Sequence, residues 1–497
     1  MADIDRNSPI PIYHQLKTLI QGQVEGGIWR RGERIPTEQE LCQLYDISRS
    51  PVRQALNDLA NEGILIRRPG RGTFVSNSFP ASSLHSSIPI QIMSSDHRWS
   101  TVLEHVSNVW NEGHPNQKVT FQVRVVDHNQ LYHLLSKAVG SGTAPDVAMV
   151  DCVWVAGLAQ SGFLHALEDL SSQWNHTKFR QDLYPAFVEA NSFNDQLYGL
   201  PLKADVSLLW YRKDWFAQEG LEPPYSWDDL LNVAKHFLQS RVREQYGLMY
   251  PLVFPGGMTG GEATVYNMMP FIWSAGGRVF DGESVVLDAP STRQALQFLR
   301  ELVNLHHVSP PEVVSYKCDT IPWLFATGKA AMALDGSHES DAILATSGWS
   351  NEEFMQRVGC VVPPAAPVGR PVSTVGGISY VILRQCRHPD LVLDVLKTAI
   401  SPDVTGDMYR AILQNSPCPS FNDFLSPEAE TLLTRVSRMI ESGFARPSVP
   451  GYFRVSRQLQ AMFEAAISDS MPIDEIVRRK AELISVISEQ SHDQGHL

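Results

Sequence analysis

Ser48-Arg49-Ser50-Pro51-Val52-Arg53-Gln54-Ala55-Leu56-Asn57 carries two messages on one helical period. Val52, Ala55, Leu56 and Leu59 make an apolar stripe. Arg49, Arg53 and Asn57 recur at i, i+4, i+8 on another face, with Ser50 beside them. Ser48 stands where an N-cap belongs, and Pro51 is tolerated in a first turn. One face therefore predicts a core contact. The other predicts a polar surface whose arginines can bond bidentately to guanine, with serines and a helix N-terminus suited to phosphate.

The flanking residues complete a small domain. Ile12, Leu16, Leu19, Ile20 and Val24 recur at helical spacing and predict a helix over about 11–25, stopped by Gly26-Gly27. Thr37 with Glu40 three residues on is a capping box that starts a second helix ending near Tyr45. Gly63 closes the third helix near Asn61. Ile64-Leu65-Ile66-Arg67 and Thr73-Phe74-Val75 then flank Arg68-Pro69-Gly70-Arg71-Gly72, a hairpin with an Arg-bearing tip. Three short helices and a hairpin make a winged helix-turn-helix. Arg71 at the tip suits a minor groove or a phosphate backbone.

Residues 9–76 also resemble the DNA-binding domain of the GntR family of bacterial transcription regulators. The resemblance rests on Pro11-Ile12-Tyr13-His14-Gln15-Leu16, Gly32-Glu33-Arg34-Ile35-Pro36-Thr37-Glu38-Gln39-Glu40-Leu41, Ser48 to Leu56, and Gly70-Arg71-Gly72-Thr73-Phe74-Val75. It implies operator binding as a dimer, with contacts from Thr37, Ser48, Arg49, Ser50, Arg53, Gly70 and Arg71. Gln39 stands where the family often has Arg, which alters one expected contact.

Charge separates this domain from the remainder of the chain. Residues 1–78 hold ten basic and nine acidic side chains; the remainder holds 31 basic and 45 acidic, and the whole chain of 497 residues carries −13. A bulk polycation is excluded. Ser76 to Ser87 is serine-rich and aperiodic, and reads as a linker. The expected division is 1–76 for the DNA-binding domain, 77–87 for the linker and 88–497 for the rest. No run of 18 apolar residues occurs, so no membrane span is expected. The first fifteen residues lack the apolar core of a secretory signal. Six scattered cysteines without a C-x-x-C pair fit a reducing compartment.

From Ile88 the pattern alternates. Apolar strands at 88–93, 119–125 and 147–150 are separated by helical patterns over about 100–111 and 129–139, which argues a parallel α/β sheet. Ligands of such sheets sit beyond the strand ends. There the sequence places Ser94-Ser95-Asp96-His97-Arg98-Trp99 and Asp151-Cys152-Val153-Trp154, polar groups mixed with tryptophan. That mixture suits a sugar, which offers hydroxyl edges and apolar C–H faces; core anchoring of the tryptophans is the alternative.

Residues 88–497 resemble the type 1 extracellular solute-binding proteins, the sugar receptors of bacterial ABC importers. The motifs run in order: Gly142-Thr143-Ala144-Pro145-Asp146-Val147, Tyr198-Gly199-Leu200-Pro201, Leu209 to Phe216, Ser226-Trp227-Asp228-Asp229-Leu230, Gly276-Gly277, Phe325 to Met332, Gly376-Gly377 and Arg446-Pro447. The resemblance implies a two-lobed α/β fold of the periplasmic-binding-protein type (type II), with strands crossing near 200–208 and 377–383. It implies cleft positions at Trp99, Asp151, Trp154, Asp205, Trp273, Gly377 and Tyr452. Gly336-Ser337-His338 departs from the Gly-x-Trp that oligosaccharide binders often carry. His338 either bonds a ligand hydroxyl or acid group there, or lies on the surface.

Enzyme signatures are missing. There is no phosphate-binding G-x-x-x-x-G-K-[ST] loop, no G-x-S-x-G elbow and no H-E-x-x-H pair. His306-His307 are adjacent and poor joint ligands, and Asp228-Asp229 suit a helix start. The glycine run Pro255 to Gly261 reads as a flexible loop. A pyridoxal-phosphate domain, found in some GntR-type regulators, needs a lysine in a Ser-x-x-Lys-type turn; Lys317, Lys329 and Lys397 lack that setting. No catalytic residue, metal or cofactor is expected. The expected protein is a cytoplasmic, homodimeric regulator that binds double-stranded operator DNA and a small effector, a sugar foremost. A transport receptor, or a regulator of a non-sugar solute, is the alternative.

Overall fold

Amphipathic periodicity becomes three helices at the front of the chain: α1 (Ile12–Glu25), α2 (Glu38–Tyr45) and α3 (Arg49–Asn61). The structure, a computed structural model, describes every residue except 1–3, 7, 26, 78–86, 97–98, 171–175, 318, 426–430 and 494–497. Most of the expected linker, together with His97, Arg98 and Cys318, lies outside the described residues.

Leu16 and Ile20 of α1, Leu41 of α2 and Val52, Ala55 and Leu59 of α3 are all 0% exposed and form one core. Each full-sized apolar side chain buried there contributes about 1.5–3 kcal/mol. The Thr37 capping box is formed as expected. The wing is an antiparallel hairpin of β1 (Leu65–Arg68) and β2 (Gly72–Val75), in register from Leu65↔Val75 to Arg68↔Gly72.

The chain divides into two compact units. The first comprises Met1–Val150, Ser161–Ser172 and Tyr380–Ala399, so it includes the winged helix. Its sheet is built from β3 (Ile88–Ser94) and β4 (Val119–Val125), parallel over seven residue pairs from Ile88↔Val119 to Ser94↔Val125. Next comes β5 (Val147–Asp151), parallel to β3, and then the end of the strand Thr374–Ile382. Helices α4 (Trp99–Gly113) and α5 (His128–Gly140) supply the connections. A right-handed strand–helix–strand unit needs this alternation. Within the same unit α1 touches the α/β layer. Tyr13 Oη donates to the Ser141 carbonyl at 2.6 Å, and Arg387 approaches Glu62 at 3.9 Å.

The second unit comprises Asp151–Gln160, Gln173–Ser379 and Ile400–Leu497. Its central strand, Gly199–Arg212, is buried at every position. Such a strand reads as a continuous run because both faces are covered. Ala330–Gly336 and Val358–Val361 pair with it antiparallel, and Tyr250–Val253 pairs parallel with Ala330–Gly336. The core beside this sheet includes Phe254, Phe271, Leu296 and Phe463, each 0% exposed.

One expectation is corrected by the fold. The glycine run is not a flexible loop: Pro255–Gly257, Gly260 and Gly261 are buried. Gly256 N–H donates to Val313 O at 2.8 Å, Met258 N–H to Glu464 Oε2 at 2.6 Å, and Thr264 Oγ1 to Gly257 O at 2.6 Å. Three anchors on separate segments pin a backbone that looks free in sequence.

Candidate functional site

The outer face of α3 is the first site. Ser48, Arg49, Ser50, Arg53 and Asn57 are all exposed, as are Gly70 and Arg71 at the wing tip; Thr37 is half-buried in its cap. Ser48 occupies the N-cap position without a side-chain capping bond, unlike Thr37. Its hydroxyl is therefore not used by the helix itself. Arg53 Nε bonds Glu38 Oε2 at 2.9 Å, and Arg67 approaches the same carboxylate at 3.5 Å. Glu38 thus holds two arginines of this surface, a role that sequence pattern does not single out. Exposed pairs of this kind add little to stability.

The second site lies in the second unit. Arg446, only 2% exposed, bonds Asp151 through Nη2 at 2.9 and 3.1 Å and Glu262 through Nη1 at 2.6 Å. Tyr452 Oη donates to Glu262 Oε1 at 2.6 Å, and Ser456 Oγ donates to Oε2. The Arg446 guanidinium also sits 5.1 Å from the Tyr266 ring centroid. Burial pushes the Glu262 carboxyl up, Arg446 pulls it back, and the Asp151 charge raises it further. Burial and the neighbouring Asp151 likewise push the Cys152 thiol up to about 12, so it is no nucleophile.

Asp151 and Tyr452, both expected in the cleft, therefore meet in one cluster, joined by Glu262 and Arg446. In sequence Arg446 is only part of a motif, and Glu262 carries no signal of its own. Glu262 opens the helix Glu262–Ser274, where an acidic residue reads as ordinary dipole complementarity. Gly377 is set by packing: a Cβ there would meet Lys203 O at 1.9 Å. Trp154 is 4% exposed. Trp273 is half-buried, edge-on to Phe444 with ring centroids 5.7 Å apart. Trp99, in the first unit, is 1% exposed at the start of α4.

Asp205 belongs to a further group. It is 5% exposed, accepts from Gln414 Nε2 at 2.9 Å and faces Lys203 Nζ at 3.7 Å. Near it, His338 Nε2 faces Glu339 Oε1 at 3.3 Å, and the His338 and Tyr266 ring centroids are 6.2 Å apart. Burial disfavours the imidazolium, but the Glu339 hydrogen bond and charge and the Asp205 charge outweigh it and lift His338 to about 9. Asp335 is raised to about 8 by burial and by Glu339, against the pull of His338 and the Gly336 amide. The group offers acceptors and an imidazole to a polar ligand and holds no aromatic platform at 338.

The relatives agree with both parts. A model of the gntR family of bacterial regulatory proteins matches residues 12–75, and one of the bacterial extracellular solute-binding proteins matches residues 99–406, more than half the chain. The chain is 46% identical to the transcriptional repressor NagR of Bacillus subtilis over 74 residues, 15% of this chain and 30% of NagR. It is 26% identical to a putative binding protein of Brucella abortus over 260 residues, 51% of this chain and 58% of that protein. It thus spans little more than half the length of such binding proteins. Among solved structures, an ABC transporter solute-binding protein of Thermotoga lettingae bound with α-D-tagatose superposes with TM-score 0.70 at 23% identity, over 81% of this chain and 100% of that one. Maltose-bound MalE3 of T. maritima gives TM-score 0.69 at 23% identity with the same coverage. These likenesses carry the fold: a winged helix, then a two-lobed α/β domain. Neither matched family is a family of enzymes. The chain belongs to the bacterial extracellular solute-binding protein family and carries a gntR-family regulatory domain at its front.

Proposed function

We propose that this protein is a ligand-responsive transcription regulator. A pair of winged helices reads a palindromic operator, and the solute-binding-protein-like domain senses a small solute, a carbohydrate. The carrying observation is the exposed Arg49, Ser50, Arg53 and Asn57 face on a helix whose other face is fully packed. A transport receptor has no use for it. The names of relatives support the class: NagR is a repressor, and another relative is a probable fructoselysine utilization operon repressor. Structural neighbours are bound with tagatose, maltose and ribitol.

In this reading residues 1–76 bind DNA, 77–87 link and 88–497 sense. Thr37, Ser48, Arg49, Ser50, Arg53, Gly70 and Arg71 face the operator. Trp99, Trp154, Asp205 and Trp273 contact the solute, while Asp151, Gly377 and Tyr452 position the site through their packing and the Arg446 cluster. The protein works in the cytoplasm, as a homodimer and without catalysis. The solute shifts operator affinity only by its difference in affinity between the two states of the sensing domain. Thermal-shift screening against sugars identifies the effector, because binding raises stability by RT ln(1+[L]/Kd). Operator affinity is then measured with and without it, for the wild type and Asp205→Asn. The reading fails if no sugar that stabilises the protein alters operator binding.

A further inference from the structure

Asp335 closes the strand Ala330–Gly336, and His338 and Glu339 lie in the next turn. One ligand-type atom from each of these three side chains lies within 4.8 Å of the other two. Asp335 is 2% exposed. Its Oδ1 accepts the Gly336 N–H at 2.8 Å; its Oδ2 is buried without a hydrogen bond of its own, with the Asn267 side chain beside the carboxyl group. His338 Nδ1 is also buried without a hydrogen bond. A buried polar atom left without a partner is costly, and the ligand-type atoms of this group gather within 4.8 Å of one another, so the group can take an occupant.

Lys203 faces Asp205 at 3.7 Å, and the carboxyl groups of Asp335 and Glu339 gather around one imidazole. The ring is held in place by a close approach. A Cβ on Gly336 would lie 2.2 Å from His338 Nδ1 and 2.1 Å from Cε1, so only glycine admits the imidazole at this spot. Glu339 also lines a cavity of about 520 Å³ with Asp319, Thr320, Trp323 and Thr346.

From this geometry we infer that Asp335, His338 and Glu339 form a binding site for a divalent transition cation. Two carboxylate oxygens and an imidazole, with no thiolate, suit Zn²⁺ or Mn²⁺. Three protein ligands leave a position open for water or a ligand oxygen. No H-E-x-x-H spacing announces the site, because Asp335 arrives from a strand and the other two from a turn. The inference does not depend on the DNA-binding reading: the metal is bound or not whatever operator the protein recognises.

The test uses the full chain, stripped with a chelator and titrated with ZnCl2 by calorimetry. One equivalent is expected to bind in a saturable step. His338→Gln and Asp335→Asn each should weaken that step by more than about tenfold, a loss that removal of even an outer-sphere partner can bring. Co²⁺ in place of Zn²⁺ should give visible absorption bands that vanish in both variants. His338 is half-buried and Asp335 2% exposed, so His338→Gln is the milder substitution, and far-UV circular dichroism of both variants checks the fold. Saturable binding that His338→Gln leaves unchanged, or no saturable binding in the wild type, overturns the assignment.

Discussion

Arg53 in the winged helix and Arg446 in the large domain both bond carboxylates at 2.9 Å, in opposite surroundings. The Arg53 side chain is 62% exposed and Glu38 33%, whereas Arg446 is 2% exposed and Asp151 10%. Water and salt screen the first pair, so its loss costs the fold little and its arginine is available to a polyanion. The second has surrendered its hydration and is held by geometry alone. The exposed Arg53 is held by one weak pair, and the buried Arg446 ties Asp151 and Glu262 into one cluster.

The sharpest way to break that contrast is at Arg446. Arg446→Met should cost about 3–5 kcal/mol, because Asp151 and Glu262 would remain buried without a counter-charge. Urea unfolding monitored by tryptophan fluorescence measures it. Arg53→Ala under the same conditions should leave stability nearly unchanged. Equal costs would abolish the distinction between the two pairs.

The converse experiment reads DNA. Arg49→Ala and Arg53→Ala should each weaken operator binding by roughly 1–3 kcal/mol at unchanged stability. Arg71→Ala should cost less, since a wing contact adds to a register that α3 already sets. Gel-shift titration at one fixed salt concentration ranks them. An Arg49/Arg53 double variant with wild-type affinity would remove α3 from the interface.

The two regions also differ in how far they can be read from sequence. The winged helix is legible because its determinants are local: the Thr37–Glu40 cap spans three residues, and the Val52–Leu59 stripe lies on one helix. The strand and helix alternation from Ile88 to Val150 is legible for the same reason. The Arg446 cluster is not. Its bonds join residues 184 and 295 positions apart, and no period or spacing foretells a convergence made by the fold. The Pro255–Gly261 run misleads for a related reason: Val313 and Glu464, which pin it, are distant in sequence, so its burial leaves no local mark. His338 lies between those extremes. Its departure from the usual tryptophan is visible in sequence, but the facing Asp335 and Glu339 atoms are not.

A smaller effect tests that intermediate case. Gly336→Ala should drive the His338 ring from its seat at a cost of about 1 kcal/mol, the low end for overpacking because the ring can swing outward. His338 should then titrate below its value of about 9, since it leaves Glu339 and Asp205 behind. Histidine NMR across pH measures the change. An unchanged titration would mean that the ring does not depend on the close approach.

The smallest effect belongs to the seam within the first unit. Burial, then the charges of Lys17 and Arg387, lower His14 from 6.5 to about 4. The unfolded chain therefore binds a proton between those values that the folded chain refuses. Stability contributed by neutral His14 is present above about pH 6.5 and is lost as pH falls toward 4. His14 is partly exposed, so solvent screening limits the effect to about 1 kcal/mol. His14→Gln should flatten that part of the pH profile and leave stability at pH 8 nearly unchanged. Urea midpoints of the two proteins at pH 8, 6.5, 5.5 and 4.5 should diverge only on the acid side. Parallel profiles would show that His14 is as freely hydrated as the exposed arginines of α3, and that the Tyr13–Ser141 contact does not shield its neighbour.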